Sequence, residues 1–544
     1  MLDIRDIRAL DGPNLYDLAP VTLIRYVGWT AAAAVFAEQL AQAAAEWNIE
    51  LGQPTYHEPS ALGERAISWR SALPATVAAL AEHLAGVDDA PDINEIGRRM
   101  AEERPPASVQ QLVDQAQAHA APILRTEAGW QLGYGTRSWL VGGGAPPWES
   151  IGRIPIVAVT GTNGKTTTTR LIDHTLRLSG WHTGRTDTDG IWENGALLDG
   201  GDWTGYGGAV AVLANPRTEI ALLETARGGL LRRGLAFDRC DIAVFTNVTE
   251  DHLPDRGVST VAEMALAKAT VARVATERVV LNADDPLVVA VAAPLASAPM
   301  IWFSLQPDSP ALAAARAAGG TLLVVRDEEL LLQVGAEERR LMAVGDLPLA
   351  LGGLARHNIA NALAAAGALH ALGLSDGQIV LGLASFQPNA RDNPGRLNQF
   401  QHGDITVIMD YAHNSDGLRV LLHSAAPLKS ATGSLWVIYS GTGDRTDEQI
   451  MEQGAIIGSM ADRFIIKRDP YFLRGRPVGE IEPLLRAAAE QAGLPVEAMV
   501  ELEGDEESLS YALDTAQPGD VIAFAVHKNR GDQIERLRRW EASS

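Results

Sequence analysis

The segment Thr160-Gly161-Thr162-Asn163-Gly164-Lys165-Thr166-Thr167 constrains this chain more than any other, because an apolar run at 154–159 delivers it and a helix-compatible stretch at 168–178 follows it. The pattern is a strand, a phosphate loop and a helix. Gly161 and Gly164 let the backbone turn its N–H groups inward around phosphate oxygens, the helix start adds positive potential, and Lys165 reaches the outer phosphates. Thr162, Asn163 and Thr167 complete the cradle, and Thr166 stands where a Mg²⁺ ligand is needed. The longer form of this loop has glycine where Val159 stands, so the match is to the short form Gly-x-x-Gly-Lys-Thr. An ordinary strand–turn–helix is the competing reading.

With 544 residues, 46% of them hydrophobic, the chain can bury several cores and divides into three domains of roughly 150 residues or more. The 45 basic residues against 68 acidic ones leave a net charge of −23. That balance favours solubility and argues against nucleic acid or an anionic membrane as a general partner. Cys240 stands alone, which excludes an internal disulfide framework and a thiolate metal cluster and fits a reducing, cytoplasmic compartment. Its neighbours Asp238, Arg239 and Asp241 precede an apolar strand, so it reads as a packed thiol. The opening 1–13 carries Asp3, Arg5, Asp6 and Arg8 rather than an apolar signal core, so no secretion segment is expected.

The Ala-rich stretch 29–47 contains Glu38 and Glu46 and is too polar and short for a membrane span. It reads as an amphipathic helix, as does 73–84, while Arg104-Pro105-Pro106 breaks the next helical run. A Gly/Pro-rich connector at 142–147 sets a boundary near 150. Beyond the phosphate loop, apolar strands at 220–223, 242–246 and 278–281 end at Glu224, Asn247 and Asn282. In an open α/β sheet ligands bind outside the C-terminal strand ends, so these three termini converge beside Lys165. For the two asparagines, turn caps are the alternative. A second set of strands lies at 406–409 ending at Asp410, 435–439 before Ser440-Gly441-Thr442-Gly443-Asp444-Arg445, 463–466 before Lys467, and 521–526. The fold expected is α/β in three domains: an α+β N-terminal domain at 1–150, a central P-loop ATPase domain with a mostly parallel sheet at 151–391, and a C-terminal Rossmann-like α/β domain at 392–544.

Six separated motifs then carry a family resemblance. They are Gly161-Thr162-Asn163-Gly164-Lys165-Thr166, Asn247-Val248-Thr249-Glu250-Asp251-His252-Leu253, Leu281-Asn282-Ala283-Asp284-Asp285, His357-Asn358-Ile359-Ala360-Asn361-Ala362, Gly395-Arg396 and Asp410-Tyr411-Ala412-His413-Asn414. In order and spacing the chain resembles the Mur ligases, ATP-dependent enzymes that join an amino acid to a carboxylate through an acyl-phosphate. More narrowly it is similar to the Mur-like half of the cyanophycin synthetases, through Thr188-Asp189-Gly190, Glu224-Thr225-Ala226-Arg227-Gly228-Gly229-Leu230-Leu231-Arg232, the stretch 234–241, and Leu473-Arg474-Gly475-Arg476-Pro477-Val478-Gly479-Glu480. The opening Arg8-Ala9-Leu10-Asp11-Gly12-Pro13-Asn14-Leu15 resembles the N-terminal domain of that group. Those synthetases carry an ATP-grasp domain between the two regions, whereas here the N-terminal segment joins the Mur-like part directly. Their ATP-grasp site adds aspartate to the backbone and their Mur-like site adds arginine to the aspartate side chain, so the resemblance implies only the second type of step.

The same resemblance implies roles. Thr166 and Glu224 would hold Mg²⁺ and His252 a second metal, oxygen and imidazole donors suited to a hard divalent ion; outside this context His252 reads as a core histidine. Lys165, Glu224, His252 and Lys268 form the implied catalytic set, Lys268 standing where many members have a carbamylated lysine. Glu263 is close enough in sequence that a surface ion pair with Lys268 is an equal reading. Asn282, His357 and Asn358 resemble adenine-side groups, while Arg396 and Asp410 would reach phosphates and ribose, which implies domain closure. Helix capping is the alternative for Asn358 and Asn361. Substrate candidates are His413, Asn414, Asp444, Arg445, Arg474 and Arg476, arginines being able to clamp a carboxylate; a solvated surface role is the alternative for Arg476. Glu480 or Asp469 would meet a basic side chain.

The expected activity is an ATP- and Mg²⁺-dependent amide ligation. Its partners would be an amino acid as a small-molecule substrate and a carboxylate-bearing peptide or precursor, with aspartyl peptide and cell-wall precursor both open as acceptor. A homo-oligomer is also open. A noncatalytic nucleotide-binding partner of a full-length synthetase is the alternative, against which the retention of Lys165, Glu224 and His252 argues. A P-loop ATPase doing mechanical or signalling work is a third reading, disfavoured by the second nucleotide-closing domain.

Overall fold

The computed structural model describes residues 2–142, 144–251 and 253–543. The chain divides into two compact units. The first takes in the chain up to Arg326 with Leu331–Arg340 and Leu363–Ile379; the second comprises Asp327–Leu330, Leu341–Ala362 and the chain from Val380 onward.

The first unit opens with a four-stranded antiparallel sheet in the order Asp3–Leu10, Val21–Val27, Arg65–Arg70, Thr55–His57. Helices Thr30–Glu46 and Pro74–Ala85 cover it, and Leu40 and Val77 pack with Ile24, Tyr26, Ile67 and Trp69 in a shared core. Both Ala-rich stretches thus form the helices expected of them. Their small side chains cost little rotamer entropy and allow close approach to the sheet.

The large sheet runs Ala196–Gly200, Gly190–Glu193, Thr183–Asp187, Ile220–Glu224, Ile156–Thr160, Cys240–Phe245, Ala275–Asn282, Met300–Ser304, Thr321–Arg326, Glu329–Val334, Glu337–Ala343. From Thr183–Asp187 to Thr321–Arg326 all pairings are parallel. Ile156, Val157, Ala158 and Val159 are all at most 1% exposed, which is why they read as one apolar run: a central parallel strand is covered on both faces. The helix Lys165–Leu178 begins three residues before the stretch 168–178 expected for it, because Gly164 (φ 85°) serves as its left-handed N-cap.

Thr183–Asp187 is buried throughout yet polar. It is held by ion pairs: Arg170 to Asp187 at 2.9 Å and to Asp189, and Arg185 to Asp187 at 3.4 Å. Although burial opposes it, Arg170 and Arg185 keep the Asp187 carboxyl well below the usual carboxylate range. Cys240 is 1% exposed, and burial pushes its thiol pKa far up, as a packed thiol requires. Among the described residues no helix is long and apolar enough to cross a membrane.

The second unit holds a six-stranded sheet ordered Asn398–His402, Ile405–Asp410, Val521–Ala525, Leu435–Tyr439, Arg463–Arg468, Met499–Glu503, parallel from Ile405–Asp410 onward. One face packs Ile408, Val437 and Ile466 against helices Ser415–Ala425, Asp447–Met460 and Ile481–Gln491 through Leu418, Ile457 and Leu485. The other packs Val407, Ile438 and Phe524 against Gly504–Thr515 and Arg530–Ala542 through Leu509 and Leu537. The last strand in the chain inserts between the second and third of this sheet. The strand order therefore reverses there, and in open α/β sheets ligands bind outside the C-terminal strand ends at such a point.

Candidate active site

In the first unit the loop after Ile156–Thr160 is braced by the segment after Cys240–Phe245. Thr162 N donates to Asn247 O at 2.8 Å. Asn163 N donates to Asn247 Oδ1 at 2.9 Å, Asn247 Nδ2 returns a bond to Asn163 O at 3.0 Å, and Thr246 Oγ1 donates to the same carbonyl at 2.6 Å. Gly161 (φ 149°) leaves no room for a side chain: a Cβ there would stand 1.9 Å from Thr246 Oγ1. Asn282 Nδ2 donates to Thr246 O at 2.8 Å while its Oδ1 accepts from Asp284 N at 2.9 Å. Asn282 caps its own turn and steadies the segment holding the loop, as the turn-cap reading has it.

Around this loop three strand ends meet. Lys165 Nζ donates to Thr162 O at 2.8 Å and lies 4.0 Å from Glu224 Oε1. Thr166 Oγ1 is 3.2 Å from Thr188 Oγ1, which in turn donates to Glu224 Oε1 at 3.2 Å. Thr188, at the end of the polar strand Thr183–Asp187, had no role in the sequence reading. Only its place in the matching segment Thr188-Asp189-Gly190 marked it. Thr166, Glu224 and Thr167 are buried, and Glu224 borders a small cavity shared with Thr204, Tyr206 and Leu235. A carboxylate and two hydroxyls linked in this way are hard oxygen donors of the kind Mg²⁺ takes alongside phosphate oxygens. The residues present therefore fit that ion. His252 lies outside the described residues. Beside it, Asp251 O accepts from Arg227 at 3.3 Å.

Lys268 is 4% exposed and donates from Nζ to Gly161 O at 2.6 Å. The surface ion pair with Glu263 is thereby replaced. Glu263 instead forms a capping box with Thr260 at the start of Val261–Arg273 and accepts from Ser259 N and Ala61 N at 2.7 and 2.9 Å. Burial, then the nearby charge of Lys165, pulls the Lys268 pKa well below the lysine range.

In the second unit, Asp410 ends its strand and accepts from Leu397 N at 2.9 Å. Burial raises its pKa to about 6 against the pull of Arg396. Arg396 and Arg530 lie over the ring of Tyr411, at 4.7 and 4.8 Å. Arg530 was not singled out in the sequence, nor was His527, a buried ring whose Nε2–H donates to Ala412 O at 2.7 Å. Arg445, 4% exposed, donates to His413 O at 3.3 Å. Arg476 donates to Arg445 O at 2.6 Å and Gly443 O at 3.2 Å and pairs with Asp447 at 2.7 Å. Arg474 pairs with Asp444. These four residues and His413 therefore form one loop cluster, in which Arg476 is tied to main chain rather than solvated. Asn414 Oδ1 accepts from Gly417 N at 2.8 Å as the N-cap of Ser415–Ala425. His357 and Asn358 form a separate group at the start of Arg356–Ala371: desolvation takes the His357 pKa down to about 4, and Asn358 Nδ2 donates to Leu349 O at 3.1 Å. Asn361 Nδ2 donates to Asn358 Oδ1 at 3.2 Å.

Comparison with known proteins agrees with this layout. The Mur ligase middle domain model matches residues 159–369, and the model described as Mur ligase, glutamate ligase domain matches 395–525. A cyanophycin synthetase from Synechocystis sp. is 38% identical over 71% of this chain and 44% of its own length, so the chain spans less than half of that protein. A UDP-N-acetylmuramoyl-L-alanyl-D-glutamate--2,6-diaminopimelate ligase from Thermosynechococcus vestitus is 30% identical over 70% of this chain and 73% of its own length. Among solved structures, a Mycobacterium tuberculosis folylpolyglutamate synthase complexed with ADP and AMPPCP shares the fold, with TM-score 0.52 and 19% identity over 71% of this chain and 91% of that one.

Proposed function

The chain belongs to the Mur ligase family, and from that premise we propose that it is an ATP-dependent carboxylate–amine ligase. An acceptor carboxylate oxygen attacks the γ-phosphorus of ATP and ADP leaves. The amine of an amino acid then attacks the acyl carbon, phosphate departs, and the amine gives up a proton as the amide forms. The observation that carries this reading is the linked set Lys165, Thr166, Thr188 and Glu224 at the phosphate loop.

Bringing a carboxylate to a phosphate joins two anions, and fixed positive groups must offset that repulsion. Lys165 and the N–H groups of the loop do so from the protein side. Mg²⁺, held by Thr166 and Glu224, supplies further neutralisation of the phosphate oxygens when bound. Arg396 and Asp410 are assigned to the nucleotide, and the cluster of His413, Asp444, Arg445, Arg474 and Arg476 to the amino acid and acceptor. An aspartyl-type acceptor is favoured over a cell-wall precursor because identity is higher to the cyanophycin synthetases, 38% against 30%. The working layout keeps domains at 1–150, 151–391 and 392–544, and the reaction is assigned to the cytoplasm.

The test is phosphate release from Mg-ATP by the purified protein, across amino acids paired with aspartyl peptides and cell-wall precursors, with products weighed by mass spectrometry. Release that requires both an acid and an amine, with a condensed product, supports the ligase. Nucleotide binding without turnover for every pair would favour the noncatalytic partner.

A pH effect follows from Asp410. Its carboxyl, raised to about 6, is neutral below that pH and a full hydrogen-bond acceptor above it. The raised value means that the fold favours the protonated form, so this group's contribution to stability is full below the ordinary aspartate range and falls as pH climbs from there to about 6. Nucleotide affinity is expected to change in the opposite sense, rising as pH passes through about 6. Titrations with AMPPCP between pH 5 and 8 should show the inflection in the native protein and a flat profile in Asp410→Asn; an inflection that survives the substitution assigns it elsewhere.

A further inference from the structure

Arg8 lies in the first strand, Asp3–Leu10, and is 7% exposed. Its guanidinium leaves the N-terminal sheet and donates in two directions. One bond goes to Leu231 O, in the helix Arg227–Arg233 that follows Glu224. The other goes to Arg256 O at 3.1 Å, in the loop that follows 247–253. A single side chain thus joins the two segments leading away from the strand ends beside the phosphate loop. Arg227 ties the same pair from inside, donating to Asp251 O at 3.3 Å and pairing with Asp255 at 3.3 Å.

The rest of the N-terminal strand and its neighbours reinforce the contact. Asp6 holds Arg8 Nε at 2.5 Å. Asp11 N donates to Arg233 O at 2.7 Å, and Leu235 N to Pro13 O at 2.8 Å. A Cβ on Gly12 would stand 2.0 Å from Leu235 O, and one on Gly257 (φ 86°) 2.6 Å from Arg25 Nε. Arg25 is held in turn by Glu64 at 2.5 Å. Ala61 N reaches Glu263 at the start of the helix that carries Lys268.

Burying a guanidinium costs desolvation that simple adhesion between two surfaces does not require, since apolar side chains would achieve it. Bonds to two main-chain carbonyls fix the backbone of both segments. The groups at a phosphate-transfer centre must hold their geometry to within about half an ångström. We propose that Arg8 is a positioning residue for the ligation centre, setting from the N-terminal sheet the spacing between Glu224 and the 247–251 segment. The proposal rests on the ligase reading above and gives the N-terminal region a share in building that centre.

The test uses the full-length protein with Arg8→Met and Arg8→Lys, well below the unfolding midpoint. Electron paramagnetic resonance reads Mn²⁺ affinity in the presence of AMPPCP, and steady-state kinetics read kcat and KM for ATP. Changes to residues that hold metal-binding groups in place typically cost about 10–100-fold. Arg8→Met is expected to weaken Mn²⁺ affinity and lower kcat by about tenfold or more, with KM for ATP changed less than about threefold. Arg8→Lys, keeping the charge and one carbonyl bond, should fall between. Native Mn²⁺ affinity and kcat in folded Arg8→Met overturn the proposal. Should Arg8→Met not fold, native values in Arg8→Lys overturn it instead. Absence of ATP-dependent turnover in the unsubstituted protein sinks the ligase reading, and the Mn²⁺ titration then still decides the positioning claim.

Discussion

Lys165→Ala is expected to abolish ATP-dependent ligation, lowering turnover by about a thousandfold or more, while the protein stays folded. Its ammonium lies beside Thr162 O and 4.0 Å from the buried Glu224 carboxylate, at the start of the helix after the phosphate loop. Charge develops on the phosphate oxygens during transfer, and a lysine there acts on the transition state more than on bound nucleotide. The loss should therefore fall mainly on kcat, with AMPPCP binding weakened much less. The fold should survive, because the helix Lys165–Leu178 is held by buried Leu171, Ile172 and Leu176 rather than by this side chain. Phosphate release, calorimetric titration with AMPPCP and thermal unfolding would separate the three quantities. Native turnover in a folded Lys165→Ala protein would remove the nucleotide site from this loop.

Gly161→Ala should cost nucleotide binding itself. The backbone there has φ 149°, and the added carbon would stand 1.9 Å from Thr246 Oγ1 and 3.2 Å from Asn247 N. To relieve that overlap the loop must move away from the segment bracing it, and the inward N–H groups move with it. Affinity for AMPPCP is expected to drop about a hundredfold, which is about 2.8 kcal/mol. Gly180→Ala is the matched control: φ is 90°, but nothing lies within 4 Å of its added carbon. It should lower stability by about 1 kcal/mol through backbone strain alone and leave affinity unchanged. Equal losses of affinity in the two variants would show that strain, not the displaced loop, is responsible.

The central strands were legible because each is covered on both faces and so is written as an apolar run. Ile220–Glu224 and Leu435–Tyr439 appear within a residue of their expected bounds. Thr183–Asp187 was missed for the converse reason: it buries Arg185 and Asp187 and balances them by ion pairs with each other and with Arg170 of the preceding helix, leaving no apolar signature. Thr188 was hidden with it. Lys268 was ambiguous because sequence separation left an ion pair with Glu263 equally open, whereas burial places its amine on the Gly161 carbonyl. The reach of Arg8 into the central domain could not have been read at all, since the carbonyls it meets there lie more than two hundred residues away. Carbonyls carry no side-chain identity for a pattern to register.

The one cysteine turns the central sheet into its own clock. Cys240 begins the strand beside Ile156–Thr160, 1% exposed and with its ionisation suppressed by burial. Only a thiolate in contact with water reacts with a disulfide reagent, so modification must wait until this part of the sheet opens. With no second thiol in the chain to blur the signal, the rate of labelling reads that opening directly. Any small molecule that binds the closed form slows the rate in proportion to its occupancy. The native sequence thus already carries the reporter with which acceptors and amino acids can be screened for binding before any product is known.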